Sequence, residues 1–400
     1  MYCDKITLES GQIRWRCAED GPPDPATGKR KQIWRRGKTK REAMDRVTEA
    51  IRSMKEEGID QRIGRTMTFD DLAAEWLITY ALTGVKRNTV RIREKEIQIL
   101  NRYVAKMPIG NITHSVYQRV LNDLAPLYAR TTLQGVNVTA GMIFRYAIRD
   151  KKIKDDPTVG VVIPKKRKTV DEIKNDPVEE SYFEREELME FLDVVRNEGL
   201  PLDLERFFTL AFTGMRSGEI CALQKDDLDF ENNIISITKT LYNETNNMRK
   251  YELTPPKTEG SIRDVHVEQP IMDMLKQLVR KRDKYNLQYR HLHKEYHDMD
   301  FVFARSNGYP FAPKNIGLRM ERLMEKTTIK KHATPHLLRH THVSMLTEAE
   351  VDIATIMARV GHDDMDTTMR IYTHVTQKMQ KDASDKLTNL YGNILQGTTF

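Results

Sequence analysis

Twenty residues near the middle of the chain, VVIPKKRKTVDEIKNDPVEE (161–180), are charged, punctuated by proline and poor in core-forming side chains. No single hydrophobic core can run through such a stretch, so the chain has to fold as separate bodies on either side of a linker. Its 400 residues, 39% hydrophobic and 31% charged, suit roughly two to four domains with an extensive polar surface. No apolar run approaches the roughly 20 residues of a spanning helix, and MYCDKITLES lacks both the apolar core and the cleavage site of a signal peptide. A cytoplasmic protein with no membrane partner is expected. Cys3, Cys17 and Cys221 form no CxxC pair and are odd in number, which points to free thiols in a reducing compartment rather than a disulfide scaffold. A net charge of +7 and a pI near 9.0 favour a polyanionic partner through phosphate neutralisation.

Before the linker, two units are expected. In residues 1–62, IRWRC alternates apolar and basic residues, GPPDPATGKR supplies turn chemistry and KQIWRR reads as the returning strand. Thr39 then precedes KREAMDRVTEAIRSM, a helix with an N-cap. Arg14, Arg16, Arg35 and Arg36 crowd this hairpin beside Trp15 and Trp34. The tryptophans can pack on the helix, or the strands can enter a DNA groove. Residues 67–160 read as wholly helical, with the apolar periodicity of Leu72, Trp76, Leu77 and Tyr80 after Thr68. Lys86 and Arg87 open a basic helix start suited to phosphate. In the linker, Lys165, Lys166 and Arg167 are candidates for DNA backbone contact.

Residues 181–380 mix helices with three short antiparallel strands, NIISITKT, YELTPPK and SIRDVHV. TGMRSGE puts Arg216 at a turn after Gly214, with Glu219 three residues on to hold its guanidinium for a phosphate. TPPKTEGSIRDVHV puts Lys257 at a hairpin tip, where an ammonium can protonate a leaving oxygen. In ATPHLLRHTHVSML, Thr334 can cap a helix whose first turn holds Pro335, so His336 and Arg339 share one face at the positive helix end. His362 follows Gly361, and Tyr372 lies ten positions further on. Each segment alone has a plainer reading: a helix ion pair, a solvated lysine, a surface HxxR or a core tyrosine with an ordinary pKa near 10. Paired arginines that neutralise a scissile phosphate make a phenol a credible nucleophile.

TGMRSGE, the lysine, PHLLRHT, VGH and IYTHV together resemble the tyrosine recombinases, over about Phe69 to Val375. The N-terminal hairpin and helix resemble the arm-binding domain of phage and conjugative-transposon integrases. Two departures are visible: Glu350 stands in TEAEVD where the family usually has glycine, and Arg359 and Val360 replace leucines before the GH.

The resemblance implies a multidomain, mainly α fold, with a β-rich arm-binding-like domain (1–62), a helical core-binding domain (67–160), the linker (161–180), a mixed α+β catalytic domain (181–380) and a tail (381–400). It implies a site-specific recombinase that integrates and excises a mobile element or prophage without cofactor or metal. Catalysis would fall to Arg216, Lys257, His336, Arg339, His362 and Tyr372, supported by Glu219. The implied partners are double-stranded DNA at core-type and arm-type sites, three further copies of the chain in a DNA-bound tetramer, and accessory excision or DNA-bending proteins. A resolvase or type IB topoisomerase would share these residues, and a non-catalytic regulator on the same fold would tolerate their loss. HLHKEYH, with His291, His293 and His297, reads as a solvated basic helix rather than a metal site.

Overall fold

The computed structural model describes residues 1–8, 12–23, 30–56, 61–165, 181–245, 247–256, 259–361 and 365–395. It divides into two compact units, Met1–Arg167 and Lys168–Phe400. Among the described residues, no helix is long and apolar enough to cross a membrane.

The first unit begins with an antiparallel sheet of β1 (Tyr2–Thr7), β2 (Ile13–Pro23) and β3 (Arg30–Gly37), in that order. The strand β1 adds a third member to the expected hairpin; its sequence, YCDKIT, lacks the alternation that betrays a half-buried strand. Because side chains alternate across a sheet, Cys17 and Ile33 face one way, onto Ala43, Val47, Ala50 and Ile51 of the helix Lys40–Glu56. A Cβ at Gly37 would lie 2.6 Å from the Ala43 nitrogen, so only glycine allows this close docking. Thr39 caps the helix, its Oγ1 accepting from the Glu42 N–H at 3.2 Å.

The cysteine expectation is corrected here. Cys3 and Cys17 stand opposite one another in the β1–β2 register, Cα atoms 4.1 Å apart, and form a disulfide that leaves only Cys221 free and buried. Cross-strand pairing at the short spacing of an antiparallel ladder is invisible to a search for CxxC.

The helices Phe69–Ala81, Arg87–Val104, His114–Leu124 and Arg130–Arg149 follow. Thr68 and Asp71 form a reciprocal capping box at the first of them. Phe69, Leu72, Trp76, Leu100, Tyr117 and Phe144 make their core.

The second unit opens with the helices Arg185–Glu198, Asp203–Thr213 and Ser217–Ala222. The strands are β4 (Leu228–Asp229), β5 (Ile234–Ile237), β6 (Thr240–Asn243), β7 (Tyr251–Thr254) and β8 (Arg263–His266). They form two sheets, β4-β5-β8 and β6-β7. The expected hairpin around Lys257 is therefore corrected: β7 and β8 are not paired, and the connection between them passes from one sheet to the other. Alternation identifies a strand but not its partner. HLHKEYH is likewise not helical throughout. After the short 3-10 turn Arg290–Leu292, His297 stacks on Tyr309 with ring centroids 4.2 Å apart, and its Nε2 is 2.6 Å from the Tyr251 hydroxyl.

The helices Gln269–Tyr289, Pro313–Met324, Pro335–Glu348, Ile353–Val360 and Met365–Leu395 complete the unit. Phe191, Phe207, Ile235, Val265, Leu275 and Leu338 anchor its main core. A smaller cluster of Tyr182, Val343, Ile356, Val360, Ile371 and Val375 joins the last three helices.

Glu350, after the helix Pro335–Glu348, has φ +59° and is exposed. The glycine-type backbone is thus kept without the glycine, at a cost of about 1–2 kcal/mol for an L-residue. Part of that is returned by the lower unfolded-state entropy of glutamate relative to glycine. Glu350→Gly is accordingly expected to raise unfolding stability by up to ~1 kcal/mol, read as a higher urea midpoint at unchanged slope; a lower midpoint would show that the turn is unstrained.

Candidate active site

The site is built where the ends of four helices meet. Gly214 closes the helix Asp203–Thr213 at φ +64°, and a Cβ there would lie 2.9 Å from Cδ2 of His342. The turn sends Arg216 to the N-cap of Ser217–Ala222. Its backbone N–H donates to Glu219 Oε2 (2.9 Å), Nη1 to Oε1 (2.7 Å) and Nη2 to the Gly361 carbonyl (2.9 Å). Glu219 is buried and also receives Nη2 of Arg263 at 3.0 Å. Burial works against its charge, but Arg263 and Arg216 together hold the carboxyl below its usual range. The pair anticipated from TGMRSGE is therefore joined by a second arginine.

Arg339 is fully buried on the helix Pro335–Glu348; its Nη1 donates to the Gly214 carbonyl at 2.7 Å and Nη2 reaches the Gly361 carbonyl at 3.5 Å. Burial, then the Arg216 charge, lowers its pKa from the arginine value. Gly361 is thus the shared acceptor that brings Arg216 and Arg339 together. His336 lies in the first turn of the same helix, whose N-cap Thr334 makes no side-chain capping bond, contrary to the sequence expectation; Pro335 has no N–H to satisfy. Although His336 is exposed as a residue, desolvation of its ring, followed by His340, Arg339 and Arg216, pushes its pKa down to about 4. At neutral pH it is an uncharged imidazole, able to accept a proton.

Tyr372 is half-buried on Met365–Leu395 and packs on the cluster containing Val343 and Val360. Those two residues belong to the helix of Arg339 and to the helix that ends at Gly361. Lys257 and His362 lie outside the described residues. Their neighbours are tied together, because Ser261 Oγ approaches the Gly361 carbonyl at 3.4 Å.

Three supporting residues were not anticipated. His342 is buried, its Nδ1 3.1 Å from the Ala211 carbonyl, while its Nε2 accepts from Arg359 Nε at 3.0 Å; burial and then Arg359 push its pKa down to about 3. The departure at Arg359 thus has a structural partner. Arg263 is the third, and its phase with Val265 and Val267 in SIRDVHV, an arginine on a core-facing rhythm, is the signal that could have found it.

Of the candidate DNA contacts, Arg14, Arg16 and Arg36 share the sheet face turned away from the helix, with Trp34, whose ring lies 5.3 Å from the Arg36 guanidinium carbon. Asp4 engages Arg16 there. Arg35 lies on the opposite face, aligned with Cys17, and donates to the Trp34 carbonyl at 3.0 Å. Lys86 and Arg87 are exposed at the start of Arg87–Val104, and Lys165 is exposed. Lys166 and Arg167 lie outside the described residues.

Residues 181–379 match the model of the phage integrase family. An integrase of Staphylococcus phage L54a is 30% identical over 336 residues, covering 82% of this chain and 94% of that protein. A Tn1549 transposon integrase fragment, solved in complex with transposon right end DNA, superposes with a TM-score of 0.62 at 22% identity, covering 80% of this chain and all of that one. A lambda integrase tetramer bound to a Holliday junction gives 0.56 at 14%, covering 92% and 94%. The chain belongs to the phage integrase family, the tyrosine-type site-specific DNA recombinases.

Proposed function

We propose that the chain integrates and excises a mobile element by cutting and rejoining DNA through a 3′-phosphotyrosyl intermediate. Tyr372 Oη attacks the scissile phosphorus, the bond to the 5′-oxygen breaks, and Lys257 protonates that oxygen as it leaves. Arg216, Arg339 and His362 stabilise charge on the non-bridging oxygens, and His336 accepts the phenolic proton. The phosphotyrosyl ester conserves the energy of the broken bond. A 5′-hydroxyl from a partner strand then attacks it, restoring the phosphodiester and freeing Tyr372. One ester replaces another, so the exchange draws on no nucleotide hydrolysis. The observation that carries this reading is the convergence of Arg216 and Arg339 on one carbonyl, with Glu219 bracing the first.

The solved relatives bind DNA, and one is a tetramer on a Holliday junction. By extension, this chain acts as a tetramer on double-stranded DNA in the nucleoid, with residues 381–400 as an assembly tail and with accessory bending or excision proteins. Residues 67–160 would bind the core-type site and residues 181–380 would cut it. Lys86, Arg87, Lys165, Lys166 and Arg167 would contact its backbone. The open sheet face carrying Arg14, Arg16, Trp34 and Arg36 suits a separate arm-type site. Arg35, on the other face, would hold the strand rather than read DNA.

A nicked duplex bearing the joined ends of the element, incubated in EDTA, should trap a covalent protein–DNA adduct on denaturing gels. Absence of adduct on any such duplex would refute the assignment. Removing residues 1–62 should leave adduct formation intact while weakening binding to a distal sequence, and full-length binding should fall steeply with salt. Equal losses at both sites would instead make the sheet structural.

A further inference from the structure

Arg263 is a buried arginine of the second unit, bonded through every nitrogen of its guanidinium, that the reaction scheme does not use. Its guanidinium is buried; Nε donates to the Arg359 carbonyl (2.8 Å), Nη1 to the Ser261 carbonyl (2.9 Å) and, more weakly, to Glu219 Oε1 (3.4 Å), and Nη2 to Glu219 Oε2 (3.0 Å). These partners come from three separate parts of the chain. Arg359 sits at the C-terminal end of Ile353–Val360, where carbonyls lack intrahelical donors and a cation is favoured. Ser261 precedes β8. Glu219 aims Arg216.

The packing leaves no slack. A Cβ at Gly361 would stand 3.0 Å from Arg263 Nη1 and 3.1 Å from its Cδ, so the turn carrying the shared carbonyl rests directly on this side chain.

We propose that Arg263 is a positioning residue of the recombinase site, one guanidinium that sets both Glu219 and the Arg359–Gly361 turn, and through them the aim of Arg216 and Arg339. The inference rests on the recombinase reading above. A planar fork can serve a carboxylate and two carbonyls at once; a lysine ammonium, a point charge with three donors on a flexible stem, cannot hold the same geometry.

The test is single-turnover adduct formation on the nicked duplex by full-length Arg263→Lys and Arg263→Ala, with DNA affinity and melting temperature measured alongside. Arg263→Lys should remain folded and bind DNA as wild type, yet form adduct on the order of 100-fold more slowly, the scale set by a small misplacement of reacting groups. Added guanidinium ion, well below denaturing concentrations, should accelerate Arg263→Ala and leave Arg263→Lys unchanged. Glu219→Gln combined with Arg263→Ala should be no slower than the slower single variant, because both act on Arg216 by one route. Wild-type rates in Arg263→Lys would overturn the proposal. So would a defect in Arg263→Ala that vanishes on cooling to temperatures where it is fully folded, or a double variant whose losses multiply. If the wild type itself forms no adduct, the recombinase reading fails first, and the inference with it.

Discussion

Tyr372→Phe is expected to abolish covalent protein–DNA adducts and leave DNA affinity unchanged. The substitution removes one oxygen atom from a half-buried ring that packs on Val343, Val360 and their neighbours, and the phenylalanine ring preserves that packing. No other phenol is assigned to the scissile phosphate, so the loss should be complete rather than partial. The measurement is adduct yield on the nicked duplex beside a gel-shift titration. Adducts that persist in the variant would move the nucleophile to another residue, and a parallel loss of affinity would show that the hydroxyl serves binding instead.

Lys257→Ala should slow cleavage by roughly 10²–10⁴-fold, the usual worth of general acid catalysis. Sulfur in place of the 5′-bridging oxygen makes a leaving group that needs no proton, so on that substrate the variant should approach the wild-type rate. Arg216→Ala offers the contrast. Glu219 and the Gly361 carbonyl hold its guanidinium, whose proposed role is to stabilise charge, and no change of leaving atom would replace that. Rescue of both variants by sulfur, or of neither, would remove Lys257 from the role of general acid.

The local geometry around Arg216 and Arg339 is legible in the sequence, for a local reason. Arg216 and Glu219 lie within one helical turn, as do His336 and Arg339, so their relation is set by backbone periodicity alone. The helical core of residues 69–149 was readable in the same way, since a capping threonine and a 3.6-residue rhythm are properties of a short window. What escaped notice depends on which strand lies beside which. The Cys3–Cys17 bond and the separation of β7 from β8 are both facts of pairing between segments that a period-two pattern leaves open. Arg263 escaped for a related reason: its partners Ser261, Glu219 and Arg359 lie two, 44 and 96 positions away. Glu350 is the converse case, where knowing the usual glycine flagged a backbone geometry that the side chain conceals.

The cluster around the Gly361 carbonyl is also electrically lopsided. Among the described residues, Arg216, Arg263 and Arg339 gather around one carboxylate, Glu219, so these four side chains carry two more positive charges than negative ones, and all but the half-buried Arg216 are withdrawn from water. A phosphodiester brings one negative charge, whereas the pentavalent phosphorane formed by phenolate attack carries two. The proton that Tyr372 gives to His336 in the proposed step stays within the site, so the total charge is unchanged and only its place shifts, negative charge gathering on the non-bridging oxygens. Under the proposed mechanism, guanidiniums already held in place would meet that charge where it develops, so the pocket would bind the transition state more tightly than intact DNA.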